Sequence, residues 1–370
     1  MPTSARWLVM AAGGLLAAGA GCLLLFWDGA GRSPPSAGGR DWLAVLDELS
    51  GEGFEQPTGT WRLELPSDHG GHPNVRTESW NISVHLRDDE GEDVGAQFAL
   101  QRFGLVSSVA PARESVWELR GIYRAHVVLF DGAHDTVDGE ERFHRDVPGV
   151  AGHDAALREV WLDHWTLRYG EGDAGNQMRL KVAVDQTELH LDLTPAKPAV
   201  ALNPDEIAAP FRGYSITRLV AEGYIVTGDD RRAVSGLAWL DHFWGDLPLP
   251  VGPIALDRMQ LQLADGTDVS VTRTRRRDGG GTPTLTAYSV GPSGKVESLA
   301  GLEMEPTRTW QDEAQGGRFP IDWRIRAGEL TLRVVPIQTT SSMTSWHRSG
   351  AASSKAKGCW AGLPPLVEAR

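Results

Sequence analysis

From about residue 58 onward the chain alternates. Ser79–Leu86 places Trp80, Ile82, Val84 and Leu86 at every second position. A period of two is the mark of a strand with one buried face. Arg87–Gly91 reads as a turn, and Asp93–Phe103 runs back as a partner strand. Similar runs follow at Thr58–Leu65, Ser115–Phe130, Val160–Tyr169, Met178–Asp185 and Glu188–Leu193. Thr194–Pro204 is Pro-rich and strandless, which suggests a domain boundary. Beyond it come Tyr214–Leu219, Gly223–Thr227 and Ala233–Leu240. The hairpin Asp257–Leu263 and Thr267–Thr274 turns at Ala264-Asp265-Gly266. Thr284–Val290, Gly294–Leu299, Ile321–Arg326 and Glu329–Pro336 complete the set. Helical spacing is confined to Trp42, Val45, Leu46 and Leu49 behind a capping Asp41, apart from the N-terminal apolar run. Many short strands and almost no helix predict an all-β chain of two antiparallel barrels or sandwiches.

The N-terminal run, Trp7 to Trp27, has the length needed to cross a bilayer and follows Arg6. The charge bias puts the N-terminus in the cytoplasm and the remainder outside. A retained anchor, a cleaved signal peptide ending in the small residues Ala17 to Gly21, and a lipoprotein signal using Cys22 all compete. Gly19 and the continuing Leu23–Phe26 disfavour lipidation, and the anchor is preferred. The Gly/Pro/Ser segment 29–40 is a linker. The expected division is 1–28 anchor or signal, 29–40 linker, 41–203 first barrel, 204–338 second barrel and 339–370 an atypical tail. The formal charge of -13 argues against a nucleic-acid partner. The basic run Arg273, Arg275, Arg276, Arg277 reads as a solvated hairpin end. Cys22 and Cys359 are the only cysteines, so no disulfide framework is expected.

The densest chemistry lies in Val234–Leu249, VSGLAWLDHFWGDLPL. Trp239 and Asp241 share a strand face, and an acid among indoles is costly to ionise unless something pairs with it. Asp241 is thus either a satisfied structural group or a proton donor. His242 next to it faces the other way, and a regular strand also turns Trp244 from Asp241. In the first half, Arg76, Glu78 and Trp80 occupy alternate positions. With Gln97 or Arg102 from the next strand they would form a buried polar network, structural or ligand-binding. His69 and His72, and the pair Asp163-His164, lack any closed-site spacing, so no metal is expected. There is no phosphate loop. Gly213-Tyr214-Ser215 lacks the trailing glycine of a nucleophile elbow.

Two motifs carry a resemblance: Gly71-His72-Pro73-Asn74-Val75-Arg76-Thr77-Glu78-Ser79-Trp80 and Gly236-Leu237-Ala238-Trp239-Leu240-Asp241-His242-Phe243-Trp244-Gly245. Gln97-Phe98 to Arg102-Phe103, Tyr214-Ser215-Ile216-Thr217 and the hairpin Leu256–Asp268 support it. With these in view, the chain resembles the lipocalin-like family of AttH-type exported proteins and carotenoid 1,2-hydratases, over roughly Trp61–Pro336.

The resemblance implies two lipocalin-like barrels and an apolar, often isoprenoid, ligand. AttH-type relatives imply an exported partner of an ABC transporter with a lipoprotein-sorting type of permease. Hydratase relatives imply addition of water to an isolated alkene. The tail from Thr339 lacks the aromatic, Gly-rich closing strand of relatives. The resulting expectation is a membrane-tethered, extracytoplasmic protein that binds a lipid or isoprenoid beside an ABC-type export system. No cofactor is expected. The alternative is an enzyme with Asp241 as acid, Tyr214 or His242 orienting the acid or the water, and Trp239 and Trp244 steadying a carbocation. Trp80, Glu78, Arg76, Gln97 and Arg102 would line the ligand site.

Overall fold

The computed structural model describes residues 53–335, apart from 108–114, 116–117, 172–174, 203–210, 246–253, 277–279 and 312–317. The apolar N-terminal run, the linker, the short helix expected at 41–49 and the tail from 339 lie outside the described residues. No described helix is long and apolar enough to cross a membrane. The described residues form strands and one 3-10 turn, Ser67–His69, in agreement with an all-β chain.

The chain divides into two compact units, and the first spans Ser50–Leu247. Its strands are β1 (Thr77–Asp88), β2 (Asp93–Gly104), β3 (Gly121–Asp131), β4 (Thr136–Arg145), β5 (Ala151–Asp154), β6 (Glu159–Leu162), β7 (Trp165–Glu171), β8 (Gln177–Val184), β9 (Thr187–Pro195), β10 (Val200–Ala201), β11 (Phe211–Thr227) and β12 (Asp230–Gly245). They make one antiparallel sheet in the order β4-β3-β2-β1-β12-β11-β9-β8-β7-β6-β5, with β10 beside β11. The sheet curls until its edges meet. The Arg142 guanidinium of β4 lies 4.1 Å from the ring of Trp165 in β7. The Tyr123 hydroxyl of β3 is 2.9 Å from Nδ1 of His153 in β5. The result is a nearly closed barrel.

Alternation decides what fills it. Trp80, Ile82, Val84 and Leu86 meet Ala96, Phe98 and Leu100 of β2, Leu180 and Val182 of β8, and Leu189 and Leu191 of β9 in one core. On β12 the inward residues are Ala238, Leu240 and Trp244. Pairing of Asn81 with Asp241 and of Trp80 with His242 fixes that parity. A slip of one residue would turn the apolar set out of the core. The end of the barrel formed by the β1–β2 and β11–β12 turns is pinned by Arg232. Its guanidinium bonds Asp88 at 2.6 Å and Asp131 at 2.5 Å.

The division of the chain differs from expectation. The strands of 211–245 belong to the first unit, so the boundary falls after Leu247 rather than at 203. The long β11–β12 hairpin bridges two strand edges, β9 through β11 and β1 through β12. The Pro-rich segment before it, as far as residue 202, holds the end of β9 and the short β10 and lies within one unit. Other differences are local. Thr58–Leu65 forms no strand, although Trp61 and Leu63 pack on the core. Val160–Tyr169 is two strands, broken at Asp163, whose φ is 55°. β4 was not marked by alternation.

The second unit contains β13 (Ile254–Gln262), β14 (Asp268–Arg276), β15 (Thr284–Val290) and β16 (Val296–Ser298) in one sheet. A second sheet holds β17 (Glu303–Gln311), β18 (Arg318–Ala327) and β19 (Leu330–Val334). Met259, Leu261, Val271, Trp323, Ile325 and Val334 bring both sheets onto one core. The expected Asp257–Thr274 hairpin is present as β13–β14. Arg273 of the basic run lies 4.7 Å from the Trp323 ring, and Arg276 is exposed.

Candidate functional site at one end of the first barrel

The barrel end opposite Arg232 is where β1 begins and where β2 and β12 finish. Here the inward alternation continues, but the residues become polar: Glu78 precedes Trp80 on β1, Arg102 follows Leu100 on β2, and His242 lies between Leu240 and Trp244 on β12. The register pairs Glu78 with Arg102 and with Trp244. A loop carrying Asp68, His69 and His72 folds across this end. Its 3-10 turn is held by Asp68 Oδ2, which accepts from Glu64 N at 2.7 Å, and by Ser67 Oγ, which donates to the Glu64 carbonyl at 2.6 Å. Glycine is required at 71. A Cβ there would lie 2.4 Å from the His153 ring.

Glu78 is the centre. Its side chain is fully buried, which is costly for a carboxylate without partners. Oε1 lies 2.7 Å from His72 Nδ1 and 3.0 Å from His242 Nε2. The backbone N–H of His72 donates to both carboxylate oxygens, at 3.0 and 2.9 Å. Arg102 Nε donates to Oε2 at 3.3 Å. Arg102 is itself anchored on the carbonyls of His72 (2.7 Å) and Val75 (2.9 Å). Two indoles close over the imidazoles. Trp244 stacks on His72 at 4.0 Å and 3°, and Trp80 on His242 at 4.7 Å and 21°. Trp80 Nε1 donates to the His69 carbonyl at 3.1 Å. Tyr214, facing inward from β11, is 2.5 Å from His69 Nδ1.

The charges follow from this packing. Burial by itself would lift Glu78. The charge of His72, hydrogen bonds from His242 and His72, and Arg102 outweigh it and hold the carboxyl well below its usual range. Burial opposes charge on His72 too, yet Glu78 and Asp68 raise it to about 9. His69 is pushed down to about 3 by burial and then by His242, against the pull of Asp68. Burial also lowers His242, partly offset by Glu78. Tyr214 is raised by burial and then by Asp68 and Glu78, so it stays a phenol and donates to the neutral His69. Within a few ångströms the site holds a charged and a neutral imidazole, a carboxylate and a phenol. Such a divergence of neighbouring groups is typical of acid–base sites.

The residues singled out from the sequence separate onto two faces. Glu78, Trp80, Arg102, Tyr214, His242 and Trp244 share the inner face and meet. Asp241 and Trp239 do not join them. They lie on the opposite face of β12, where Asp241 Oδ1 accepts from Ser215 Oγ at 2.5 Å and from Trp239 Nε1 at 2.9 Å. The expected grouping of Asp241 with Tyr214, His242 and Trp244 is therefore corrected. Even and odd residues of one strand cannot reach the same pocket. Gln97 falls on the outer face with Ala99 and Gln101, because the inward residues of β2 are Ala96, Phe98 and Leu100, so it does not join Glu78. Arg76 sits just before β1 and is half-buried, and the ion pair to Glu78 comes from Arg102. His69, Asp68 and the role of His72 were not legible as one site. The spacing of Asp68, His72 and Glu78 is that of a loop folding back on a strand, and His242 is far along the chain.

The sequence of residues 56–352 matches the model of the AttH-like family. The chain belongs to the AttH-like family. A crystal structure assigned as an AttH from Nitrosomonas europaea superposes with a TM-score of 0.63 at 23% identity, covering 76% of this chain and 89% of that one. Kievitone hydratase from Nectria haematococca superposes with a TM-score of 0.51 at 12% identity, covering 77% and 85%. No curated protein matches the chain by sequence. At these identities the two structures speak to the fold. It is a lipocalin-like all-β fold, shared with a structure whose name is that of a hydratase.

Proposed function

We propose that this AttH-like protein is a hydro-lyase that adds water to a carbon–carbon double bond of an apolar substrate at the Glu78 end of the first barrel. One observation carries the reading: a fully buried carboxylate held between two imidazoles and an arginine, beneath two indoles, at the end of an otherwise apolar barrel. A barrel that merely holds a greasy ligand does not require such a cluster, whose burial is costly without a compensating role. Apolar side chains from facing strands meet inside the barrel, and the substrate would engage at the Glu78 end, where His72 and Asp68 remain about one-fifth exposed. In the reaction, one alkene carbon takes a proton from the Glu78–imidazole cluster. Water attacks the other carbon and returns its proton to the cluster. The faces of Trp80 and Trp244 and the phenol of Tyr214 would steady positive charge on carbon. Asp241, on the other side of β12, has no part in this step.

A carrier is the second reading, and the apolar Trp7–Trp27 segment behind Arg6 favours it. In that reading the chain is tethered on the extracytoplasmic side and presents a lipid or isoprenoid to the permease of an ABC-type exporter. The test is incubation of the full chain with linear polyenes and other isoprenoid alkenes, read by mass spectrometry for the gain of one water. Conversion should be lost in Glu78→Gln and kept in Asp241→Asn. Conversion that persists in Glu78→Gln and disappears in Asp241→Asn would move the chemistry to the outer face. Unchanged alkene, with a lipid co-purifying with the protein, would leave the carrier.

A further inference from the structure

The hydrogen-bond arithmetic of the cluster does not close with neutral rings. Four imidazole nitrogens face three oxygens. His72 Nδ1 and His242 Nε2 both point at Glu78 Oε1, at 2.7 and 3.0 Å. His242 Nδ1 is 2.9 Å from the Asp68 carbonyl, and His72 Nε2 is 3.6 Å from Asp68 Oδ1. Carbonyl and ionised carboxylate oxygens only accept, whereas a neutral imidazole carries one N–H. Two neutral rings carry two N–H groups for the three contacts within hydrogen-bond distance, so one bare nitrogen would face an oxygen lone pair. Satisfying all three with protons takes an imidazolium beside a second ring N–H, with two inner protons directed at one buried carboxylate oxygen. A divalent cation supplies the same charge as those two inner protons and satisfies the same three inner atoms at once.

We propose that His72 Nδ1, His242 Nε2 and Glu78 Oε1 form a binding site for a divalent transition-metal ion, with zinc the best fit to the donor set. Two imidazoles and one carboxylate are among the ligand sets that leave an open position on zinc. The three atoms already lie within 4.8 Å of one another. Ligands about 2.0–2.1 Å from a tetrahedral ion stand roughly 3.3 Å apart, so the pairs at 2.7 and 3.0 Å need to open by about 0.6 and about 0.3 Å. Outer contacts of the kind such ligands ordinarily have are present: His242 Nδ1 donates to the Asp68 carbonyl at 2.9 Å, and His72 Nε2 stands at ion-pair distance, 3.6 Å, from the Asp68 carboxylate. Here one residue, Asp68, provides both oxygens, its carbonyl for His242 and its carboxylate for His72. Arg102 occupies the other oxygen of Glu78, leaving Oε1 for the ion. The stacked indoles of Trp80 and Trp244 hold the rings in place.

This inference rests on the three ligand atoms and not on the hydratase reading, and its test needs no alkene. The full chain, stripped with chelator, is dialysed against Zn²⁺ or Co²⁺ and assayed for bound metal and for the visible bands of tetrahedral cobalt. The expected result is a single ion per chain, lost in His72→Ala and in Glu78→Gln. Asp68→Asn, at a partly exposed position, should weaken binding roughly 10- to 100-fold. Asp241→Asn and His164→Ala should leave it unchanged. Strand circular dichroism identifies any variant that fails to fold. In that event the graded loss in Asp68→Asn decides. No uptake by the wild type would overturn the site, as would uptake that survives both His72→Ala and Asp68→Asn.

Discussion

Replacing Glu78 by glutamine should cost far more stability than replacing Asp241 by asparagine, although both are buried acids of almost the same setting in sequence. At Glu78 the charge is shared by His72, His242 and Arg102. Removing one member of such a buried set typically costs about 3–5 kcal/mol. The isosteric amide recovers part of that. Arg102 keeps its two carbonyl partners, and the new amide N–H can donate to His242 Nε2. A net loss of about 2–3 kcal/mol follows. A loss of that size lowers Tm by roughly 4–12 °C in a unit of 150–250 residues. At Asp241, Oδ1 accepts from the Ser215 hydroxyl and the Trp239 indole. An asparagine oxygen accepts both, so the cost should stay below about 1.5 kcal/mol. The assay is thermal and urea melting of the two variants beside the wild type, followed by tryptophan fluorescence, which Trp80 and Trp244 couple to the site. A Glu78→Gln variant within about 0.5 kcal/mol of wild type, or an Asp241→Asn variant that loses more, would refute the assignment of Glu78 as the charged centre.

Two further outcomes are expected. Gly71→Ala drives a Cβ to 2.4 Å from the His153 ring, so the loop bearing His72 must shift. Melting should show a loss of about 1–3 kcal/mol, as for other overpacked sites, and metal uptake should fall with it. An unshifted melt with intact uptake would show that the loop is not wedged there. His126, fully buried on β3, is held down to about 3 by burial and then by Arg124. A folded-state value below the unfolded 6.5 means that its contribution is intact above about pH 6.5. It is lost as pH falls from there toward 3, at about 1.4 kcal/mol per unit. The stability of the wild type relative to His126→Phe, from urea melts, should therefore fall as pH goes from 7 to 5. Parallel curves would count against the argument.

Some of this was written in the chain's local pattern. A period of two depends only on neighbouring residues, so Ser79–Leu86, Asp93–Phe103 and the Asp257–Thr274 hairpin could be read directly. The same pattern grouped Glu78 and Trp80 with Arg76 and with Gln97 or Arg102, and of these it is Arg102 that the register sets beside Glu78. It also separated Trp244 and His242 from Asp241. It could not say which set faced the core. From Ala238 to Gly245 the strand is buried on both faces, and both sets contain a tryptophan and a titratable group.

Only the tertiary structure settled that question. Inwardness is decided by which strand edges β11 and β12 join, and those edges, on β1 and β9, belong to distant residues. The Pro-rich stretch before β11 has the composition of a linker, so locally it could not be told from a domain boundary. The loop with Asp68, His69 and His72 carries no periodic signal at all. Its place over Glu78 depends on close contacts such as that of Gly71 with His153. The sequence by itself determined that the chain is built of strands and what stands at alternate positions along each. Closure of the sheet chose which of the two buried acids, Glu78 or Asp241, faces the imidazoles, because the direction a strand faces is a property of its partners.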